Sequence, residues 1–118
     1  MGNTEQYSQD AVLRARVLLL GSEPPSWWEG VMAYRVLATV SPAAYLPRLV
    51  EALLECRKRS PLAADPRVAL ALLAEAVEAA RRMDSADPNR PRLLAEALHG
   101  HEAAARLLGG DPPIVTRT

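Results

Sequence analysis

Apolar residues recur every three or four positions along most of this chain. Between 66 and 84 the stripe is Ala69, Leu72, Leu73, Ala76, Val77 and Ala80. Between 45 and 59 it is Leu46, Leu49, Val50, Leu53, Leu54 and Cys56. Between 91 and 108 it is Leu93, Leu94, Ala97, Leu98, Ala104, Leu107 and Leu108. This is the 3.6-residue period of amphipathic helices, each with one face to bury.

Punctuation sets the boundaries and adds two more helices. A first helix over 5–20 is started by Thr4 and ended by Gly21, and SEPPS (22–26) connects it onward. A second runs from Ser26 to about Val40, opened by a capping box in which Ser26 receives an amide and Glu29 reaches back. Ser41-Pro42 opens the next turn. Pro47 would lose an internal bond in a helix begun at Pro42, so the third helix is predicted over 45–59. SPLAAD (60–65) reads as a loop. Asp65-Pro66 places a cap and a first-turn proline at the head of a fourth helix over 66–84. Asp87-Pro88 and Pro91 open a fifth, which runs to Leu108 and stops at Gly109-Gly110. A single domain over 1–110 with a frayed tail over 111–118 follows. The first helix differs from the others, because Val17, Leu18, Leu19 and Leu20 cover every direction for one turn. Such a turn is covered on several sides or meets a partner.

The helices also repeat. EGVMAYRVLATVSP (29–42) aligns with EAVEAARRMDSADP (75–88) at an offset of 46, with Glu29/Glu75, Val31/Val77, Ala33/Ala79, Arg35/Arg81 and Pro42/Pro88 identical. LPRLVEALLE (46–55) aligns with RPRLLAEALH (90–99) at an offset of 44, keeping Pro47/Pro91, Arg48/Arg92, Leu49/Leu93 and Leu54/Leu98. A two-helix unit with a period in the mid-forties marks a stacked array of helix pairs, an architecture that binds more often than it transforms.

Helix 66–84 resembles the second helix of a tetratricopeptide repeat. Ala69, Leu73 and Ala76 supply its small–large–small spacing, in which small residues let two helices approach and the large one fills the gap. At the equivalent positions of the second helix stand Glu23, Trp27 and Gly30. The phrases AAYLPRLVEALL, LLAEAVEAARRMDSADP and RPRLLAEALHG are similar to longer-period repeats of this kind in bacterial regulators. The likeness covers about 26–108 and is degenerate. The middle repeat lacks the usual Trp–Gly–Tyr signature, and SPLAADP replaces a short glycine turn. The resemblance implies an α-solenoid with a groove for peptides or partner proteins and no catalytic residues to carry over.

Composition narrows the picture. The chain has no Phe, so its core must come from Leu, Val and Ala with a few larger anchors (Trp27, Trp28, Tyr34, Tyr45, Met83). Fourteen basic residues balance fourteen acidic ones, which argues against a nucleic-acid partner and against electrostatic membrane binding. The longest purely apolar run, VLLL, is far too short to span a bilayer. With a lone cysteine and no signal pattern, the chain reads as cytoplasmic.

Candidate chemistry is thin. Glu96-x-x-His99 has the spacing of half a di-iron site, but the remaining ligands are missing, and a solvated helix face explains it better. Cys56 lies on an apolar stripe, where cysteine behaves as a small hydrophobe rather than a nucleophile. No phosphate loop or nucleophile elbow is present, and no cofactor or metal is implied. Arg57-Lys58-Arg59 complements the C-terminal dipole of its helix. Trp27 and Trp28 lie about 100° apart on a helix, so one can enter the core while the other stays at its edge. Trp28 and Tyr34 are candidates for a binding surface, since Trp and Tyr anchor interfaces. Arg35, Arg48, Arg81 and Arg92 recur at equivalent repeat positions and are candidates for a groove that receives an acidic peptide or a C-terminal carboxylate.

The expectation is an all-α protein: five antiparallel helices stacked as about two and a half hairpins, binding a protein or peptide as an adaptor. An array this short buries its end faces poorly. A homodimer or a stable hetero-complex is therefore expected, through the first or the fifth helix, with Val17, Leu18, Leu19 and Leu20 as the candidate interface. The competing expectation is a small all-α enzyme or ligand-binding protein of a specialised biosynthetic pathway in a GC-rich bacterium. The two differ in whether the structure holds an enclosed pocket with convergent polar groups or an open apolar groove.

Overall fold

The computed structural model describes residues 8–20 and 26–109. Among them are five α-helices: α1 (Gln9–Leu20), α2 (Trp27–Val40), α3 (Pro42–Arg59), α4 (Pro66–Arg82) and α5 (Arg90–Gly109). A single 3-10 turn, Pro61–Ala64, joins α3 to α4. No described residue lies in a strand, and no described helix is long and apolar enough to cross a membrane. Thr4, Glu23 and the 111–118 tail lie outside the described residues.

Each helix packs on its neighbours in chain order, α1 on α2 through to α4 on α5, and α3 also touches α5. The expected stripes are the buried faces. Leu46, Leu49, Val50, Leu53, Leu54 and Cys56 of α3 are all buried, as are Ala69, Leu72, Leu73, Ala76, Val77 and Ala80 of α4. They form one cluster with Val31 of α2 and with Leu93, Ala97 and Ala104 of α5. A smaller cluster, Ala15 with Ala33 and Leu37, seats α1 on α2. Helix α5 covers the core with only part of its stripe, because nothing described lies beyond it. Leu98, Leu107 and Leu108 are exposed.

Close approach depends on small residues. A Cβ on Gly100 would stand 2.9 Å from Leu73 Cδ2 and 3.2 Å from Arg57 Nη2. Glycine is therefore what lets α5 lie against α4 and the end of α3. Burial follows the sequence repeat. Val31/Val77, Ala33/Ala79, Leu37/Met83, Leu49/Leu93 and Leu53/Ala97 are buried at both members of each aligned pair, whereas Leu54 is buried and Leu98 exposed.

Two expected boundaries are corrected. Helix α1 starts at Gln9, where Ser8 Oγ accepts the Ala11 amide at 3.1 Å. Helix α3 starts at Pro42 and carries Pro47 inside it. The bond Pro47 forgoes belongs to the carbonyl of Ala43, an exposed residue in the first turn where water can replace the missing donor. Ser41 alone ends α2 and begins α3, leaving no room for a loop. The equivalent proline, Pro91, occupies the second position of α5, where no bond is lost. There Asp84 and Asp87 accept the Ala86 and Asn89 amides at 2.9 and 2.8 Å and hold a true turn.

The caps of α2 and α4 form as read. Ser26 Oγ accepts the Glu29 amide at 3.2 Å while Glu29 Oε1 accepts the Ser26 amide at 3.0 Å. Asp65 Oδ1 accepts the Arg67 amide at 2.9 Å. Ser26→Ala removes the cap that holds the Trp27–Trp28 turn, and urea denaturation is expected to show a loss of about 1 kcal/mol. An unchanged midpoint would show that this turn is held by side-chain packing instead.

Candidate functional site

Trp28, Met32 and Arg35 share one face of α2, one turn apart from each other. Helix α4 presents Val68, Ala71, Leu72 and Glu75 at the same helical spacing. The end of α3 adds Cys56 and Ser60, and the head of α4 adds Asp65 and Arg67. Between them lies a pocket of about 470 Å³, walled chiefly by apolar groups.

Arg35 organises its rim. Its Nε and Nη2 donate to Glu75 Oε2 and Oε1 at 2.7 and 2.6 Å, a two-point pair that ties α2 to α4. The guanidinium carbon stands 4.9 Å from the centre of the Trp28 ring, and Nη1 contacts Met32 Sδ at 3.3 Å. The pair is about one-third exposed (28% and 32% for the two side chains), so water screens it only in part. Arg67 Nη2 stands 3.3 Å from Asp65 Oδ2. The Arg67 amide, and then its guanidinium, hold the Asp65 carboxyl below the usual carboxylate range. That carboxylate therefore caps α4 throughout the neutral range, and the cap is lost only as pH falls below the ordinary carboxylate value. Each cation of the rim thus already faces a carboxylate.

Cys56 is buried in the pocket wall. Burial pushes its thiol up, with the nearby Arg35 charge opposing. A protonated, buried thiol is a poor nucleophile.

The other predicted residues lie elsewhere. Tyr34 packs on Tyr45 with ring centroids 6.2 Å apart. With Arg48, Trp27 and Glu51 it lines a second hollow of about 260 Å³ between α2 and α3. Arg92 lies 3.8 Å from Glu51 and 3.9 Å from Glu96, and Glu51 lines the second hollow beside Arg48, whereas Arg35 pairs with Glu75 of α4. Arg81 is exposed at the end of α4, where its carbonyl accepts Arg90 Nη2 at 3.1 Å. Neither tryptophan enters the core: Trp27 is 45% and Trp28 46% exposed. Each lies under an arginine, Trp27 beneath Arg59 at 5.3 Å. The VLLL turn divides. Leu18 and Leu19 pack toward Ala33 and Leu37, whereas Val17 (64%) and Leu20 (84%) face outward in a row with Leu13. Glu96 is 3.3 Å from Lys58, and no cluster of three or more metal-ligating side chains occurs among the described residues.

Glu75, Met32 and Arg67 were not singled out by the sequence. Glu75 is 40 residues from Arg35, beyond any local spacing rule. Its one visible signal is its identity with Glu29 in the repeat.

A double-mutant cycle on Arg35→Met and Glu75→Gln is expected to give a coupling of roughly 1–2 kcal/mol in urea denaturation, above the range of fully exposed pairs. Additive losses would mean that the pair does not join α2 to α4. Comparisons with protein-family models, with curated proteins and with solved structures each find no significant match to this chain.

Proposed function

We propose that this chain is a non-catalytic binding module: a short stack of helix hairpins, related to tetratricopeptide repeats, that holds a segment of a partner protein against the Trp28 face. One observation carries this reading. The pocket between α2 and α4 offers apolar walls, a half-exposed indole and ionic groups that neutralise one another in place. Such a site has shape and oily surface to offer, but no charge held ready for proton transfer. The raised Cys56 thiol speaks against a cysteine nucleophile in this pocket. The repeated burial of aligned positions supports stacking of the α2–α3 and α4–α5 hairpins. A single reduced thiol packed in the core suits the cytoplasm.

Peptides selected from a random display library on the wild-type protein are expected to bind Trp28→Ala at least about tenfold more weakly, with helical circular dichroism unchanged. Equal binding to both proteins, or no enrichment over an unrelated helical protein, would retire the proposal.

We also propose that the chain pairs with itself through the outward row of α1, formed by Leu13, Val17 and Leu20. These side chains leave an apolar stripe uncovered at the end of the stack. Sedimentation velocity at tens of micromolar is expected to show a dimer, and Val17→Glu a monomer that still folds. A wild-type monomer at that concentration contradicts the pairing.

A further inference from the structure

Helix α3 ends in three consecutive cations, and their surroundings differ. Lys58 faces Glu96 at 3.3 Å, and Arg59 pairs with Glu55 at 2.9 Å while covering Trp27. Arg57 points the third way, toward α4 and α5. It is half-buried, its Nε is buried without an acceptor, and no carboxylate lies within ion-pair distance of it among the described residues. Its Nη2 lies over Gly100, which has no side chain to push it away.

Beside Arg57 is a pocket of about 170 Å³, separate from the Trp28 site. Its walls are Ala69 and Leu73 of α4, Gly100, Ala104 and Leu107 of α5, and the Ala63–Ala64 turn. None of these side chains is polar. The cavity therefore combines a hydrocarbon lining with one guanidinium that has given up part of its hydration and gained no counter-charge. A desolvated cation of this kind attracts an anion more strongly than a surface arginine does, because the local dielectric is lower. Its planar fork matches a carboxylate. A phosphate, with more charge to neutralise, would need further donors that these walls do not hold.

We propose that this pocket binds a monocarboxylate with a short aliphatic body, the carboxylate on the guanidinium of Arg57 and the chain among Leu73, Ala104 and Leu107. Size sets the body. A cavity of about 150 Å³ accepts benzene, so this one takes about six carbons. A free short-chain acid and the C-terminal carboxylate of a peptide ending in an aliphatic residue share this chemistry.

Amide NMR titrations distinguish them. Hexanoate is expected to move the Gly100 and Ala104 peaks saturably at concentrations up to about 10 mM, as suits so small a ligand. Hexanamide, which lacks the charge, is expected to bind at least about tenfold more weakly. Arg57→Met keeps the packing stem and is expected to lose the same factor. Ala103→Phe, placed at an exposed position on the mouth, is expected to block binding without disturbing the core. N-acetyl-leucine tests the peptide source: tighter binding than hexanoate assigns the site to a C-terminus, and weaker binding assigns it to a free acid. Equal affinity for hexanoate and hexanamide overturns the proposal. So does hexanoate binding retained in Arg57→Met, or an absence of shifts at Gly100 and Ala104 in a folded wild-type protein. Trp28→Ala leaves these titrations unchanged, so the result is independent of the Trp28 site.

Discussion

The contact between Leu73 and Gly100 expresses the constraint under which this protein is built. A chain without phenylalanine cannot fill wide gaps between helices, so it brings the helix backbones together. Helices α4 and α5 pack on each other and bury many small residues, Ala76, Ala79 and Ala80 on one and Ala97, Gly100 and Ala104 on the other. Interiors pack to near-crystalline density whatever the residues used. With small residues, that density demands short distances between helix axes. Both tryptophans stand at the head of α2 and are half-exposed.

The same constraint explains what was legible in the sequence. The stripes of α3 and α4 were readable residue by residue, because a helix flanked on both sides must bury a continuous face. The stripe of α5 was readable only in part: Leu98 and Leu107 fit the period but lie where no described helix covers them. Ser26, Glu29 and Asp65 act through bonds to residues two or three positions away, and spacing alone identifies such bonds. Pro47 misled because a rule for helix interiors was applied to a turn whose carbonyl faces water. The Trp28 site was half visible. Trp28 and Arg35 share a helix face, which is a local fact. Glu75, which completes their arrangement, reaches them only through the packing of α4 near α2.

The repeat keeps both core and surface residues, but their surroundings differ between the two copies. Val31 and Val77 do the same work, as do Leu49 and Leu93. Identical surface residues have taken different partners. Glu29 closes a capping box, whereas Glu75 clamps Arg35. Trp27 stands half-exposed under Arg59, whereas Leu73 is buried against Gly100. Arg35 reaches across to α4, while Arg81 lies open at the end of its helix. Core positions answer to packing, which treats both hairpins alike. Rim positions answer to whatever each hairpin meets, and those surroundings differ.

The divergence also sorts the cavities by the ligand each suits. Around Trp28, arginine and carboxylate are already matched, so an incoming ion would have to displace a two-point pair held at 2.6 and 2.7 Å. Breaking such a pair leaves a partly desolvated charge behind, a penalty that selects for neutral, apolar groups. Around Arg57 the balance is reversed. The guanidinium has been partly desolvated in folding and meets no carboxylate, so an anion there completes a pair instead of breaking one. Two pockets on different faces of α4, built from the same few residue types, differ in chemistry because one arginine found its glutamate within the fold and the other did not.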